Sequence, residues 1–157
     1  MAEAPASLSE SIRISAPPQR VWEVVSDVRR MGEWSPECRK IVLWGRARRR
    51  GVRLGSLITG FNRRKYVLWP TTSKVHLYDA GRAIGWRVFE SQARWSYELA
   101  PEGDGTVLTE ARAMPNPVPP LPAVFARFFL GGFSGHDVEL REGMRTTLER
   151  IKAEVEN

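Results

Sequence analysis

The chain has 157 residues, 42% of them hydrophobic and 27% charged, with a formal net charge of +6. That length suits one domain with a real hydrophobic core, and the proportions are those of an ordinary globular protein. A single cysteine, Cys38, excludes an intramolecular disulfide and suits a reducing compartment. The best apolar window, "PAVFARFFLGGF", is broken by Arg127 and two glycines and falls short of the roughly 18 apolar residues a membrane span needs. The opening "MAEAPASLSE" is acidic and poor in apolar residues, unlike a secretory leader, so a cytoplasmic protein is expected, with residues 1–6 disordered.

The basic balance raises nucleic-acid binding, because Lys and Arg clusters bind phosphate through counterion release. The densest clusters are "RARRR" (46–50) with Arg53, and "RRK" (63–65). Both adjoin glycines between strand-like runs and read as hairpin ends. A basic helix or an aromatic-interleaved sheet, which a nucleic-acid reader needs, is not visible in the pattern, so solvated loops are the expectation.

In chain order, Leu8, Ile12 and Ile14 alternate with polar residues and predict a first strand over 7–14. Pro17 or Pro18 can then open a short helix whose apolar residues Val21, Trp22, Val25 and Val28 follow 3–4 spacing, with a turn at Met31–Trp34 continuing it. Pro36 biases Ser35 away from helix and ends that segment. A second strand is expected at 38–44. Further strands follow in "GSLITGFNRRKYVL", broken or bent at Gly60, then in "WPTTSKVHLYD", "RAIGWRVFE", "RWSYELAPEGDG" and "TVLTEARAM". Their links are too short for parallel crossovers, so about seven antiparallel strands are predicted. "PNPVPPLP" (115–122) reads as a stiff connector. A short apolar helix comes next, then "GGFSG" (131–135) as a joint and possible gate hinge beside Phe128 and Phe129. A final helix over 135–156 carries Leu140, Met144, Leu148, Ile151 and Val155 on one face. A helix of that length, about 30 Å, can lie across a sheet that curls around it.

This order resembles the START-like superfamily, also called SRPBCC, and within it the polyketide cyclase/dehydrase and lipid transport branch. The resemblance is carried by "I-x-I-x-APPQRVWEVVSDVRRMGEWSPE" (12–37), "GSLITGFNRR" (55–64), "W-x-TTSKV" (69–75), "RWSYELAPEGDGT" (94–106) and "GMRTTLERIKAEVE" (143–156). It implies an α+β helix-grip fold in a single domain over 1–157. A curved seven-stranded antiparallel sheet would wrap the C-terminal helix, with two short helices closing one end and an apolar cavity between. It further implies binding of lipids, polyketides or other hydrophobic molecules, with cyclisation or aromatisation in some members. Trp34 would then sit at the cavity rim, or plug the core beside Val25 and Val28; its spacing fits both.

Alternation sets the inward faces. Trp69, Thr71, Ser73 and Val75 oppose Thr72, Lys74 and His76. Ile84, Trp86 and Val88 oppose Arg87, and Trp95, Tyr97 and Leu99 oppose Arg94, Ser96 and Glu98. In the last strand Leu108 and Met114 facing inward would bury Glu110 and Arg112. The opposite register leaves both charges in water and is the cheaper choice. An inward wall rich in Trp and Tyr suits a flat or polycyclic guest, and equally a filled core.

No metal-ligand spacing, nucleophile elbow or phosphate-cradling loop is present in the sequence, so neither metal nor cofactor is expected, and Cys38 reads as structural. The expected function is binding or carriage of a hydrophobic small molecule. Trp34, Asn62, Trp69, Ser73, Trp86, Trp95, Tyr97, Met114, Phe125, Phe129 and Met144 are the candidate contacts. The rival is a polyketide aromatase/cyclase using Tyr97, Glu110 and Arg112. A weaker third reading is an interaction protein using its basic loops. No membrane span is expected, and the protein would be a monomer or weak homodimer.

Overall fold

The computed structural model describes residues 7–114 and 132–157, with the side chains of the last segment described from Asp137 onward. The Pro-rich connector, Phe125, Phe128 and Phe129 lie outside the described residues.

Strand β1 (Leu8–Ile14) leads into helix α1 (Pro18–Val25), a 3-10 turn at Val28–Arg30 and helix α2 (Met31–Trp34). Strand β2 (Cys38–Leu43) is followed by the one-turn helix α3 (Ala47–Arg50). Strands β3 (Leu57–Arg64), β4 (Val67–Asp79), β5 (Ala83–Val88), β6 (Arg94–Glu102) and β7 (Gly105–Ala113) complete the sheet, and helix α4 (Gly132–Glu156) ends the chain. The seven strands are antiparallel throughout, in the order β1-β7-β6-β5-β4-β3-β2. This is the helix-grip architecture: a curled sheet holding α4, with short helices at one end.

Local chemistry explains where the elements differ from expectation. Pro18 opens α1, where its missing N–H costs nothing, and Val21, Trp22 and Val25 are buried. Asp27 leaves helical geometry at φ −85°, ψ 77°, so α2 does not continue α1. The hairpin between β3 and β4 turns at Lys65–Tyr66, with Lys65 at φ 53°, rather than at Trp69. Pro70 therefore lies inside β4. It is tolerated because β5 pairs with β4 only from Ser73 onward, leaving Pro70 a pairing neighbour on one side. "RARRR" forms α3 instead of a hairpin end. Gly132–Gly135 belong to the first turn of α4 rather than to a joint. Amides of a first turn need no partner within the helix, so residues of low helix propensity cost least there.

The main core joins Ile14, Val21, Val25, Tyr97, Leu108, Leu148 and Ile151, all at most 1% exposed. Each fully buried aliphatic side chain contributes about 1.5–3 kcal/mol. A smaller cluster of Leu8, Leu140 and Met144, with Trp95 against it, sits toward the N-terminal half of α4. Gly32 of α2 lies tight against β2, where a Cβ would collide with the Arg39 carbonyl oxygen.

Truncating Leu148 to Ala should lower the unfolding free energy by about 2–5 kcal/mol in urea titration. Val138→Ala, at a position 62% exposed on the same helix, should move it by less than about 0.5 kcal/mol.

Candidate functional site

Strand β7 fixes the chemistry of the interior. Its pairing with β1 sets Ile12 opposite Leu108 and Ile14 opposite Thr106, and its pairing with β6 sets Leu99 opposite Leu108 and Tyr97 opposite Glu110. Cross-strand partners share a face, so burying these apolar residues carries Glu110 and Arg112 inward. They are 6% and 4% exposed. The costlier of the two registers is the one adopted. Val107, Ala111 and Ala113 offer little apolar bulk compared with Leu108, and partners reduce the cost. Arg112 Nη2 lies 2.8 Å from Asp137 of α4. On neighbouring β1, Glu10 meets Arg141 at 2.8 Å and Arg145 at 3.2 Å. Burial would raise the Glu10 carboxyl, but the hydrogen bonds from the two arginines outweigh it and hold it below its ordinary value.

Glu110 is different. Its carboxyl faces the Tyr97 hydroxyl across the β6–β7 pair, while its Oε2 is buried with no hydrogen-bond partner among the described residues. Burial pushes its pKa up to about 8, against a smaller downward pull from the Tyr97 hydroxyl. At neutral pH it is mostly a carboxylic acid. Tyr97, buried first and beside Glu110 second, is raised as well and stays a phenol; its hydroxyl also lies 3.5 Å from Met31 Sδ.

Glu110 faces a cavity of about 180 Å³ between α4 and the sheet. Trp95, Leu140 and Met144 supply much of its apolar wall, Gly143 and Thr147 the helix side, and Ser35, Pro36 and Glu37 the end nearest α2. The helix leaves room here because its inward face carries Gly143 and Thr147 beside Leu140 and Met144, at 3–4 spacing. A Cβ at Gly143 would meet only the Pro36 ring, at 3.9 Å. Burial raises Glu37 to about 7, helped by the nearby Glu139 charge and opposed by Arg112 and Arg64. At the rim Arg64 of β3 grips Glu139 of α4 through two contacts of 2.5 and 2.6 Å. Glu139 is 45% exposed, so this pair contributes about 0–1 kcal/mol and can part easily.

The Trp34-Ser35-Pro36 step builds the floor of this end. Trp34 is 3% exposed and belongs to the main core. Its indole N–H donates to Glu154 at 2.9 Å, and the Arg30 guanidinium sits 5.1 Å over its ring. The Ser35 hydroxyl accepts the Cys38 amide at 3.0 Å and the Glu37 amide at 3.3 Å, turning the chain into β2 and bringing Glu37 to the cavity.

Of the residues marked from sequence, Trp95, Met144 and Glu110 line the cavity. Trp34 and Tyr97 are instead packed in the main core, with partly buried Trp86 against it and its ring 6.1 Å from that of Tyr97. These rings fill the grip instead of walling a void, because each reaches apolar neighbours from the sheet and the short helices. Ser73 is buried, Asn62 donates to the Trp69 carbonyl and to Thr71, and Trp69 and Met114 are partly buried; none of the four is in the cavity wall. Arg112 is turned to Asp137. Glu37, Arg64, Glu139, Gly143 and Thr147 were not marked. Only Gly143 and Thr147 left a signal, as small residues on the helix stripe. Burial holds the Cys38 thiol up at about 11, so it is no nucleophile at neutral pH.

The raised Glu110 has a stability consequence. The fold favours its neutral form, so that contribution is complete below the ordinary value of 4.5 and is lost as pH rises through about 8. In Glu110→Gln the group stays neutral at every pH. Between those limits the unfolding free energy of the variant relative to the parent should rise by roughly 3–5 kcal/mol. Urea titrations across the range read this directly; a difference that stays constant would contradict the buried acid.

The chain matches the model of the family described as polyketide cyclase/dehydrase and lipid transport over residues 5–156. None of the curated proteins matches it. A polyketide cyclase-like protein of Corynebacterium glutamicum, solved by NMR, is 30% identical with a TM-score of 0.58; the match covers 96% of this chain and 89% of that one. The Zhui aromatase/cyclase from Streptomyces sp. R1128 is 15% identical with a TM-score of 0.68, over 96% and 93% of the two chains. The major latex-like protein 151 of Panax ginseng is 11% identical, also with a TM-score of 0.68, over 97% and 98%. The last two show the fold alone. Sequence and architecture together make this chain a member of the polyketide cyclase/dehydrase and lipid transport family.

Proposed function

We propose that the protein binds a small, mainly apolar molecule in the cavity beside α4, with a hydrogen-bond acceptor of the guest held by the carboxylic acid of Glu110. The single observation that carries this reading is the buried Glu110 Oε2, which has no hydrogen-bond partner among the described residues and borders a cavity walled by Trp95, Leu140 and Met144. A buried polar atom without a partner costs about 1–3 kcal/mol, and a guest carbonyl would recover that cost. Volume sets the scale. A cavity of about 150 Å³ accepts benzene, so about 180 Å³ accepts one ring or a short chain, and a larger guest must extend past the Arg64–Glu139 pair. This is smaller than the polycyclic guest the aromatic residues suggested.

A second reading is favoured by the pairing of two acids in one cavity. With Glu37 near 7 and Glu110 near 8, one can be ionised while the other is protonated. That is the arrangement of a base and an acid working at neutral pH. Glu37 would take a proton from carbon beside a carbonyl whose oxygen Glu110 hydrogen-bonds, with Tyr97 orienting Glu110. The Streptomyces neighbour is named an aromatase/cyclase, in keeping with such chemistry.

Gly143→Leu separates cavity from fold. The new side chain enters the cavity, while replacing a helical glycine favours the helix by up to about 1 kcal/mol. Calorimetric titration with acetophenone should give a Kd at least about tenfold weaker for this variant, its Tm unchanged or raised. Ethylbenzene, which lacks the acceptor, should bind the parent about fivefold more weakly than acetophenone. Equal acetophenone binding by parent and variant would overturn the assignment. Under the second reading the parent should exchange the methyl protons of acetophenone for deuterium in D2O, and Glu37→Gln should lose that exchange.

A further inference from the structure

Charge is segregated along this chain. Residues 38–74 hold 11 of the 24 Lys and Arg and no Asp or Glu, leaving 13 cations among all 18 acids elsewhere. That stretch folds as β2, α3, β3 and the first part of β4, which form one edge of the sheet.

Register turns this imbalance into a surface. On the side of the sheet away from α4, Phe61 has Lys40 as its cross-strand partner, Leu68 has Arg63 and Leu57 has Lys74. All six are exposed, with Leu68 at 71%. Beside Leu57, Trp44 is 52% exposed, its indole N–H bonded to Thr59 at 2.8 Å so that the ring is fixed on the surface. At the β3–β4 turn Tyr66 is 96% exposed next to Lys65. Toward β5 the face continues basic, with Arg87 paired to Lys74 and Arg94 paired to Arg87. The carboxylate of Glu90 borders it but is occupied by the Thr72 amide at 2.8 and 2.9 Å.

Alternating apolar and cationic residues match a surface with anionic headgroups over a hydrocarbon boundary. Apolar side chains gain by entering that boundary, and each Lys or Arg near an anionic leaflet multiplies partitioning by about fivefold. We propose that the outer face of β2, β3 and β4 docks on anionic lipid, with Phe61, Leu68 and Tyr66 entering the interface and Lys40, Arg63 and Lys74 meeting the phosphates. A single-stranded nucleic acid fits less well, because Leu57 and Leu68 present no π-face on which a base can stack. A second copy fits less well still, since two such faces carry the same charge. Arg64, at the rim of the cavity, immediately precedes the exposed turn, so docking on this face brings the cavity mouth near the lipid.

Vesicle co-sedimentation of the full chain tests this. Partitioning onto phosphatidylcholine vesicles containing phosphatidylglycerol should exceed that onto phosphatidylcholine alone by at least about tenfold, and should fall as salt is raised. Lys40→Glu with Lys74→Glu should reduce it by about 25-fold or more. Phe61→Ser with Leu68→Ser should reduce it by about tenfold while the salt dependence remains. All four positions are exposed, and circular dichroism checks that the variants keep the fold. Equal partitioning onto both vesicle types would overturn the proposal, as would variants that bind like the parent. Salt-sensitive retention of a single-stranded oligonucleotide, without vesicle binding, would overturn it in favour of nucleic acid.

Discussion

Outside the bulges in β2 and β4, the strands of this sheet turn alternate side chains toward the interior, and in β7 that rule sends Glu110 and Arg112 inward together with Thr106 and Leu108. Fully burying Leu108 is worth about 1.5–3 kcal/mol, and the pairing with β1 and β6 allows no local exception. The molecule therefore has to accommodate a buried acid and a buried guanidinium. It neutralises the guanidinium with Asp137 of α4. It leaves the acid protonated, beside the Tyr97 hydroxyl on one side and facing a cavity on the other.

The cavity follows from the same contact between helix and sheet. Where α4 presents Leu148, Ile151 and Val155, the space is filled from the sheet and from α1 and α2. Where it presents Gly143 and Thr147, the side chains are too short to reach, and a gap remains between the two apolar clusters. Trp34 keeps that gap short. Its indole, tied to Glu154 and covered by Arg30, fills the interior beside the gap, and the Ser35-Pro36 corner then brings Glu37 to the wall. Two acids with raised pKa values thus reach one small cavity from different parts of the chain.

Much of the fold was legible because it rests on periodicity. The 3–4 spacing of Leu140, Met144, Leu148, Ile151 and Val155 identified the buried helix face, and alternation identified Ser73, Val75, Ile84, Tyr97 and Leu99 as inward. The β7 register was not legible from β7 alone. Considered by itself, the strand favours leaving its charges in water, and only pairing with Ile12, Ile14 and Leu99 reverses that preference. The cavity was hidden for a related reason. Large aromatic residues draw attention, yet Trp34 and Tyr97 complete the core, whereas the space depends on a glycine and a threonine. Glu37 and the Arg64–Glu139 pair meet the cavity through tertiary contacts that no local spacing encodes. Charge segregation was present in the sequence throughout. Its meaning needed the register that sets Lys40, Arg63 and Lys74 beside exposed apolar side chains.

The state of the Glu110 carboxyl can be measured without a ligand. In protein labelled with carbon-13 at glutamate side chains, the Glu110 carboxyl resonance should titrate with a midpoint of about 8, far above the ordinary 4.5. That outcome would place a neutral acid at the cavity at physiological pH. A midpoint near 4.5 would mean that the group is solvated or charge-paired, and the buried acid at the centre of this structure would be contradicted.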